Sequence, residues 1–155
     1  MKTNVMAITS DTFEEIDELD FHMLKLKVMD TDEGEGWSFD KCERVETKYK
    51  MFLKLIYLYQ DINIVPDKEI DKFWHYHILD TRNYISATKK IFGRYIHHYP
   101  YFGLNGEADR ENLEHCFSKT KDLFKKHFKF DLESSSSACN NDNDDSSTCA
   151  SRCRY

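Results

Sequence analysis

Residues 71–84 read Asp-Lys-Phe-Trp-His-Tyr-His-Ile-Leu-Asp-Thr-Arg-Asn-Tyr. The spacing of the large apolar and aromatic residues predicts an amphipathic helix, which Asp67 caps and which runs to about Lys90. His77 falls on the apolar side of this helix, and His75 lies about 200° away on the opposite side. The two histidines are therefore poorly placed to hold one metal ion together. Gly93 either ends this helix or interrupts it.

Other parts of the chain also predict helices. One is capped by Asp40 and another begins near Ala108 or Asp109. The first thirty residues are ambiguous, because Leu24, Leu26 and Val28 alternate as in a strand whereas earlier apolar residues have helical spacing. The fold class is therefore mainly α: a single compact helical domain of three or more helices over residues 1–132. A short β element near the N-terminus stays open as an alternative.

Composition and charge exclude several classes of protein. The formal net charge is −6 over 155 residues, and acidic and basic residues are interleaved, which argues against nucleic-acid binding. No apolar run approaches the roughly 20 residues of a membrane span, and the start lacks the apolar region of a signal peptide. Five cysteines, an odd number without a secretion signal, argue against a disulfide framework. We therefore expect a cytoplasmic protein.

Residues 133–155 differ sharply in composition from the rest of the chain. They consist mainly of Ser, Asn, Asp, Thr and Cys, and such a segment buries too little apolar surface to fold, so we predict a disordered tail. Three interpretations stay open: a solvated extension, a thiolate metal site, or a substrate for post-translational modification. The last interpretation assigns as modifiable residues Ser147, Thr148, Cys139, Cys149 and Cys153.

Histidines concentrate in two segments, 71–84 and 95–103. The spacing allows a metal or acid–base site that joins His75 or His77 to His97 or His98, with Asp71 and Asp80 as supporting carboxylates. The metal is then a transition metal such as Fe, Cu or Zn. The structural alternative buries His77 against Asp80 or a backbone carbonyl and leaves His75 on the surface.

Three motifs resemble bacterial members of the glycine-rich domain-containing protein-like family, over about residues 19–128. They are Gly34-Glu35-Gly36-Trp37, the Trp74-His75-Tyr76-His77-Ile78-Leu79-Asp80-Thr81 run with Tyr84, and His97-His98-Tyr99-Pro100-Tyr101-Phe102-Gly103. The resemblance implies a helical cytosolic protein and supplies no established activity. Members often carry a cysteine where this chain has Thr88, so a site that used that cysteine is altered here. The glycine-rich extension is absent, and no RNA-related role carries over.

Two functional hypotheses follow. In the first, a non-enzymatic, leader-like helical domain presents the tail to a peptide-modifying enzyme, as in precursors of ribosomally synthesised, modified peptides. In the second, the histidines bind a transition metal, either for binding alone or for metal-dependent catalysis. The sequence contains no recognisable nucleophile triad, phosphate-binding glycine loop or complete metal motif, so we assign no catalytic residue and rank the first hypothesis higher.

Overall fold

The computed structural model describes residues 3–132, with side chains from Ser10 onward. Six helices and no strand lie in this range, which confirms the mainly helical prediction. They are α1 (Thr3–Asp17), α2 (His22–Met29), α3 (Phe39–Leu58), α4 (Lys68–Leu79), α5 (Thr81–Phe92) and α6 (Glu107–Phe128). The described chain divides into two units, the first ending at His97 and the second beginning at His98. The tail, with its Ser147, Thr148 and three cysteines, lies outside the described residues.

Helix α3 is the centre of the first unit. It contacts α1, α2 and α4; in addition, α4 contacts α2 and α5, and α1 contacts α5. The apolar side chains that recur at helical spacing along α3 are largely buried, and the core is unusually aromatic. Its fully buried members with large side chains include Phe21, Tyr49, Phe52, Phe73 and Tyr84. Burial of this apolar surface is the main force that holds the five helices together.

The long helix predicted between Asp67 and Lys90 is in fact two helices. Asp80 leaves helical geometry, with φ −78° and ψ 71°, and ends α4. Its carboxylate then accepts a bond from the backbone N–H of Asn83 and begins α5. An aspartate is well suited to this double role, because its short side chain competes with the helix for backbone N–H groups. Gly93 ends α5 in the left-handed conformation, with φ +68°.

Two further predictions near the N-terminus need correction. Residues 22–29 form helix α2, so the strand-like alternation of Leu24, Leu26 and Val28 is misleading. Helix α3 is capped by Ser38, whose hydroxyl accepts a bond from the N–H of Lys41, and Asp40 lies inside its first turn. An acidic residue there still favours the helix through its dipole.

A buried lysine ties α3 to the start of α4. The Lys48 side chain is 1% exposed, and its Nζ lies 2.6 Å from Asp67 Oδ2 and 2.8 Å from Glu69 Oε2. Asp67 also caps α4, as the sequence predicts, by accepting a bond from the N–H of Ile70. One carboxylate thus begins α4 and joins it to α3. Removing Lys48 alone takes the buried cation away from two partly buried carboxylates, which is costly.

The loop between α2 and α3 is held closed by Asp30. Its carboxylate accepts bonds from the N–H groups of Asp32 and Glu33, and its backbone carbonyl accepts from Gly34 and Gly36. Gly36 has φ +63°, a left-handed conformation that glycine adopts without steric cost. Gly34 is needed for space instead, since a Cβ there lies 2.1 Å from the carbonyl oxygen of Lys27.

The second unit contains a loop and α6, which begins close to the predicted start. The Asp109 carboxylate accepts bonds from the backbone N–H groups of Gly103 and Asn105, which ties the loop to the first turn of α6. Near the other end of the helix, the ring of Phe124 packs against Phe128 and Phe130. None of the helices in residues 3–132 is both long enough and apolar enough to cross a membrane.

Gly34→Ala tests the close packing of the α2–α3 loop. We expect it to lower the free energy of unfolding by about 3 kcal/mol, because the added methyl group meets backbone atoms that cannot move aside locally. Gly93→Ala is the matched control: its Cβ meets nothing within 4 Å, so only the left-handed backbone costs about 1 kcal/mol. Urea unfolding measures both values, and equal effects would contradict the packing argument.

Candidate functional site on helix α4

The inner face of α4 carries His77, whose side chain is 1% exposed. Its Nδ1 lies 2.8 Å from the hydroxyl of Tyr49 on α3, and the two groups form a buried hydrogen bond. Burial of His77 on the apolar face agrees with the sequence analysis. The partner differs from both predicted ones, Asp80 and a backbone carbonyl, because sequence spacing carries no information on contacts between α3 and α4.

Aromatic rings enclose His77 on several sides. The rings of Phe21 and Tyr84 each lie 4.9 Å from the imidazole in edge-to-face geometry. Within residues 3–132, His77 Nε2 has no hydrogen-bond partner. If Tyr49 donates to Nδ1, only the Nε2–H group is left without a conventional acceptor, and edge-to-face aromatic rings partly compensate such a group. The opposite tautomer would leave the Tyr49 hydroxyl proton unsatisfied as well.

Burial also sets the protonation state of His77. It lowers the pKa of the imidazole from 6.5 to about 4, and the neighbouring Asp80 carboxylate opposes this shift only in part. His77 is therefore neutral near pH 7. A neutral imidazole with one nitrogen bonded to tyrosine and both nitrogens inside an aromatic core has a structural role.

Two other motif residues, Trp74 and Tyr84, and the nearby Thr88 also form hydrogen bonds in the core. The indole Nε1 of Trp74 donates to the hydroxyl of Tyr84 at 3.0 Å, and that hydroxyl donates to the backbone carbonyl of Ile96. This chain of bonds fastens the segment before His97 to α4 and α5. Thr88, at the position where the resembled family often has cysteine, is buried and donates to the backbone carbonyl of Tyr84.

The outer face of α4 carries the pair Asp71 and His75. Asp71 Oδ2 lies 3.7 Å from His75 Nε2, and the side chains are 29% and 38% exposed. One helical turn separates the two residues, as the sequence predicts, so their side chains lie on the same face. A carboxylate oxygen and an imidazole nitrogen at this separation are close enough to act as two ligands for one metal ion.

Next to this pair runs a second row of side chains that sequence reasoning did not identify. Glu35, from the α2–α3 loop, accepts hydrogen bonds from Lys72 Nζ at 2.7 Å and from the Tyr76 hydroxyl at 3.2 Å. Partial burial, and then the Glu35 carboxylate, raise the pKa of the Tyr76 hydroxyl. The only sequence signal for this contact is that Lys72 and Tyr76 are one turn apart.

The remaining predicted residues are spread over both units. His97 is exposed at the end of the first unit, with its ring 4.9 Å from that of Tyr95. His98 is the first residue of the second unit. Asp80 joins α4 to α5 as described above. Of the two described cysteines, Cys42 is a buried free thiol whose pKa is raised by burial, and Cys116 is half-buried.

These features define a small helical protein built around a histidine-centred aromatic core. The chain belongs to the UCP032817-like family, whose model matches residues 13–122, from α1 into α6. No curated protein and no solved structure matches it significantly. The family match does not test the resemblance to the glycine-rich domain-containing protein-like family, which stays a prediction.

The depressed pKa of His77 predicts acid sensitivity. The unfolded chain binds a proton at this imidazole below about pH 6.5, whereas the folded chain does so only below about pH 4. Stability is therefore lost as the pH falls from 7 to 4, and His77 alone contributes about 3 kcal/mol to this loss.

Urea unfolding at pH 7, 5.5 and 4 tests this prediction in the wild type and in His77→Gln, which cannot be protonated. Because carboxylates titrate in the same range, the difference between the two proteins is the quantity of interest. We expect the loss of stability to be smaller in His77→Gln, whereas the exposed-site control His97→Gln should follow the wild type. A pH dependence of equal size in all three proteins would rule His77 out as the cause.

Proposed function

We propose that this chain is a metal-binding protein and that the outer face of α4 supplies two of its ligands, Asp71 and His75. The observation that carries this proposal is the 3.7 Å distance between Asp71 Oδ2 and His75 Nε2. Two ligand atoms at about 2.1 Å from one ion in tetrahedral geometry are separated by about 3.4 Å. The pair therefore needs only a small side-chain adjustment to hold one ion.

The distribution of the motif residues supports the same proposal. Trp74, His77 and Tyr84 are buried and form hydrogen bonds inside the core. Asp71 and His75 lie on the opposite face of α4, where their side chains are 29% and 38% exposed. A carboxylate and an imidazole suit Zn(II) and Fe(II), and imidazole also suits Cu(II).

Two ligands give only a weak site. The histidines of segment 95–103 lead us to expect a further ligand at His97 or His98, and this stays a prediction from the sequence. The proposal concerns metal binding, and no reaction is assigned to the site.

Metal titration tests the α4 pair. Protein stripped with chelator is titrated with Zn(II) in competition with a chromophoric chelator. We expect one equivalent to bind and the dissociation constant to rise at least about tenfold in Asp71→Asn and in His75→Ala, because each change removes a ligand. His97→Ala and His98→Ala identify which of these residues adds a ligand.

The control is His22→Ala, which removes an exposed histidine from α2. It should leave the dissociation constant unchanged. Undiminished binding of one equivalent by both Asp71→Asn and His75→Ala would show that the ion lies elsewhere and would refute the ligand assignment.

A second candidate function comes from the composition of residues 133–155. Here the helical part is a leader-like carrier in a reducing cytosol, and the residues modified by a partner enzyme are Ser147, Thr148, Cys139, Cys149 and Cys153. Dehydration of Ser and Thr followed by addition of a Cys thiolate forms thioether rings. Three cysteines beside Ser and Thr in one polar segment favour this function over an inert extension.

A carrier domain needs a surface that the modifying enzyme recognises, and α2 offers one. Leu24 and Val28 face the core, whereas Met23 and Leu26 are 72% and 48% exposed. The short helix is thus apolar on both sides, and exposed apolar side chains of this kind are typical of protein contact sites. We propose this outer side of α2 as the recognition surface.

Intact-mass analysis after co-expression with the neighbouring genes tests the carrier function. We expect loss of water, confined to residues after Leu132, and a lower modified fraction in the double variant Met23→Ser/Leu26→Ser, because the apolar contact is lost. Leu79→Ser is the control, since Leu79 is a similarly exposed leucine at the end of α4. An unmodified tail would contradict the carrier function. Modification that is unaffected by the α2 double variant would contradict the proposed recognition surface.

A further inference from the structure

The Glu35 carboxylate holds two residues of α4 at once. Its Oε2 accepts from Lys72 Nζ at 2.7 Å, and its Oε1 accepts from the Tyr76 hydroxyl at 3.2 Å. Lys72 and Tyr76 are one helical turn apart, so the carboxylate bridges along the helix axis. Glu35 thereby fixes a row of side chains that runs parallel to the Asp71–His75 row.

The loop that carries Glu35 is well fixed. The backbone N–H of Glu35 donates to the carbonyl of Val28, and Gly34 and Gly36 on either side both donate to the carbonyl of Asp30. Gly34 has no room for a side chain. Because the backbone of this loop is fixed, the Glu35 carboxylate has few alternative positions. The loop therefore helps to hold Glu35 in contact with α4.

Lys72 is the residue that makes this contact relevant to the proposed site. It precedes His75 by three positions, and residues three apart on a helix are surface neighbours. Its side chain is 48% exposed, so an ammonium group not held by Glu35 could turn toward His75. A positive charge there repels a bound cation.

We propose that Glu35 is a positioning residue for the α4 metal site: it neutralises Lys72 and holds the ammonium group away from the Asp71–His75 pair. This inference rests on the proposed metal-binding function. In this role Glu35 acts through Lys72. The site is thus tuned by the charge of a residue that lies in the α2–α3 loop, far from α4 in sequence.

Three variants of the full chain separate this role from a general effect on folding: Glu35→Gln, Lys72→Met, and the two together. Zn(II) is the probe, and the dissociation constant is measured by chelator competition at low and at high salt. Unfolding by urea without metal reports the structural effect of each variant separately.

We expect Glu35→Gln to raise the dissociation constant about fivefold at low salt. The reason is that the Lys72 ammonium group, no longer neutralised, repels an ion several ångströms away by about this factor. High salt should reduce this effect, because it screens exposed charges. Lys72→Met should bind at least as tightly as the wild type. The double variant should return to within about twofold of the wild type, because the charge to be neutralised is gone.

The outcomes distinguish the two proposals. If the wild type binds Zn(II) through Asp71 and His75 but Glu35→Gln binds equally well, the inference is wrong and the proposed function stands. A double variant as weak as Glu35→Gln also overturns the inference, since Glu35 then acts by a route other than Lys72. Absence of Zn(II) binding by the wild type contradicts the proposed function, and with it the role of Glu35.

Discussion

The hydrogen bond between the Tyr49 hydroxyl and His77 Nδ1 fixes the rotation of α4 about its own axis. Both side chains are buried, so rotating the helix would leave a polar group of each without a partner inside an aromatic core. Residues two positions apart on a helix point in nearly opposite directions. Once His77 is held inward, His75 must face outward, and Asp71 lies beside it. The geometry of the proposed metal pair is therefore a consequence of a core contact.

Much of this arrangement is predictable from local sequence. The period of the apolar residues gives the inward face of α4, and the one-turn spacing of Asp71 and His75 places them on one side. The cap at Asp67 follows from the preference of aspartate for that position. These features depend on residues close together in the chain, and such features are the ones that pattern and propensity describe.

The features that the sequence did not reveal depend on other elements or on competing local signals. Ser38 and Asp40 are both good capping residues, and the residue type alone does not show that Ser38 is the cap. The break at Asp80 has no glycine or proline to mark it. Likewise, Glu35 meets α4 across a long stretch of sequence, and the partner of His77 comes from α3. No periodicity within one helix encodes such contacts.

The single-residue junction at Asp80 bears on how chains of this family can change in length. Asp80 is the one residue between α4 and α5. It serves as the C-cap of α4 and as the N-cap of α5. One added residue there would turn α5 by about 100° and move Tyr84 away from Trp74. Residues 59–66, between α3 and α4, lie outside any helix and tolerate such a change more easily. Insertions and deletions among relatives should therefore collect before α4 and be rare at Asp80.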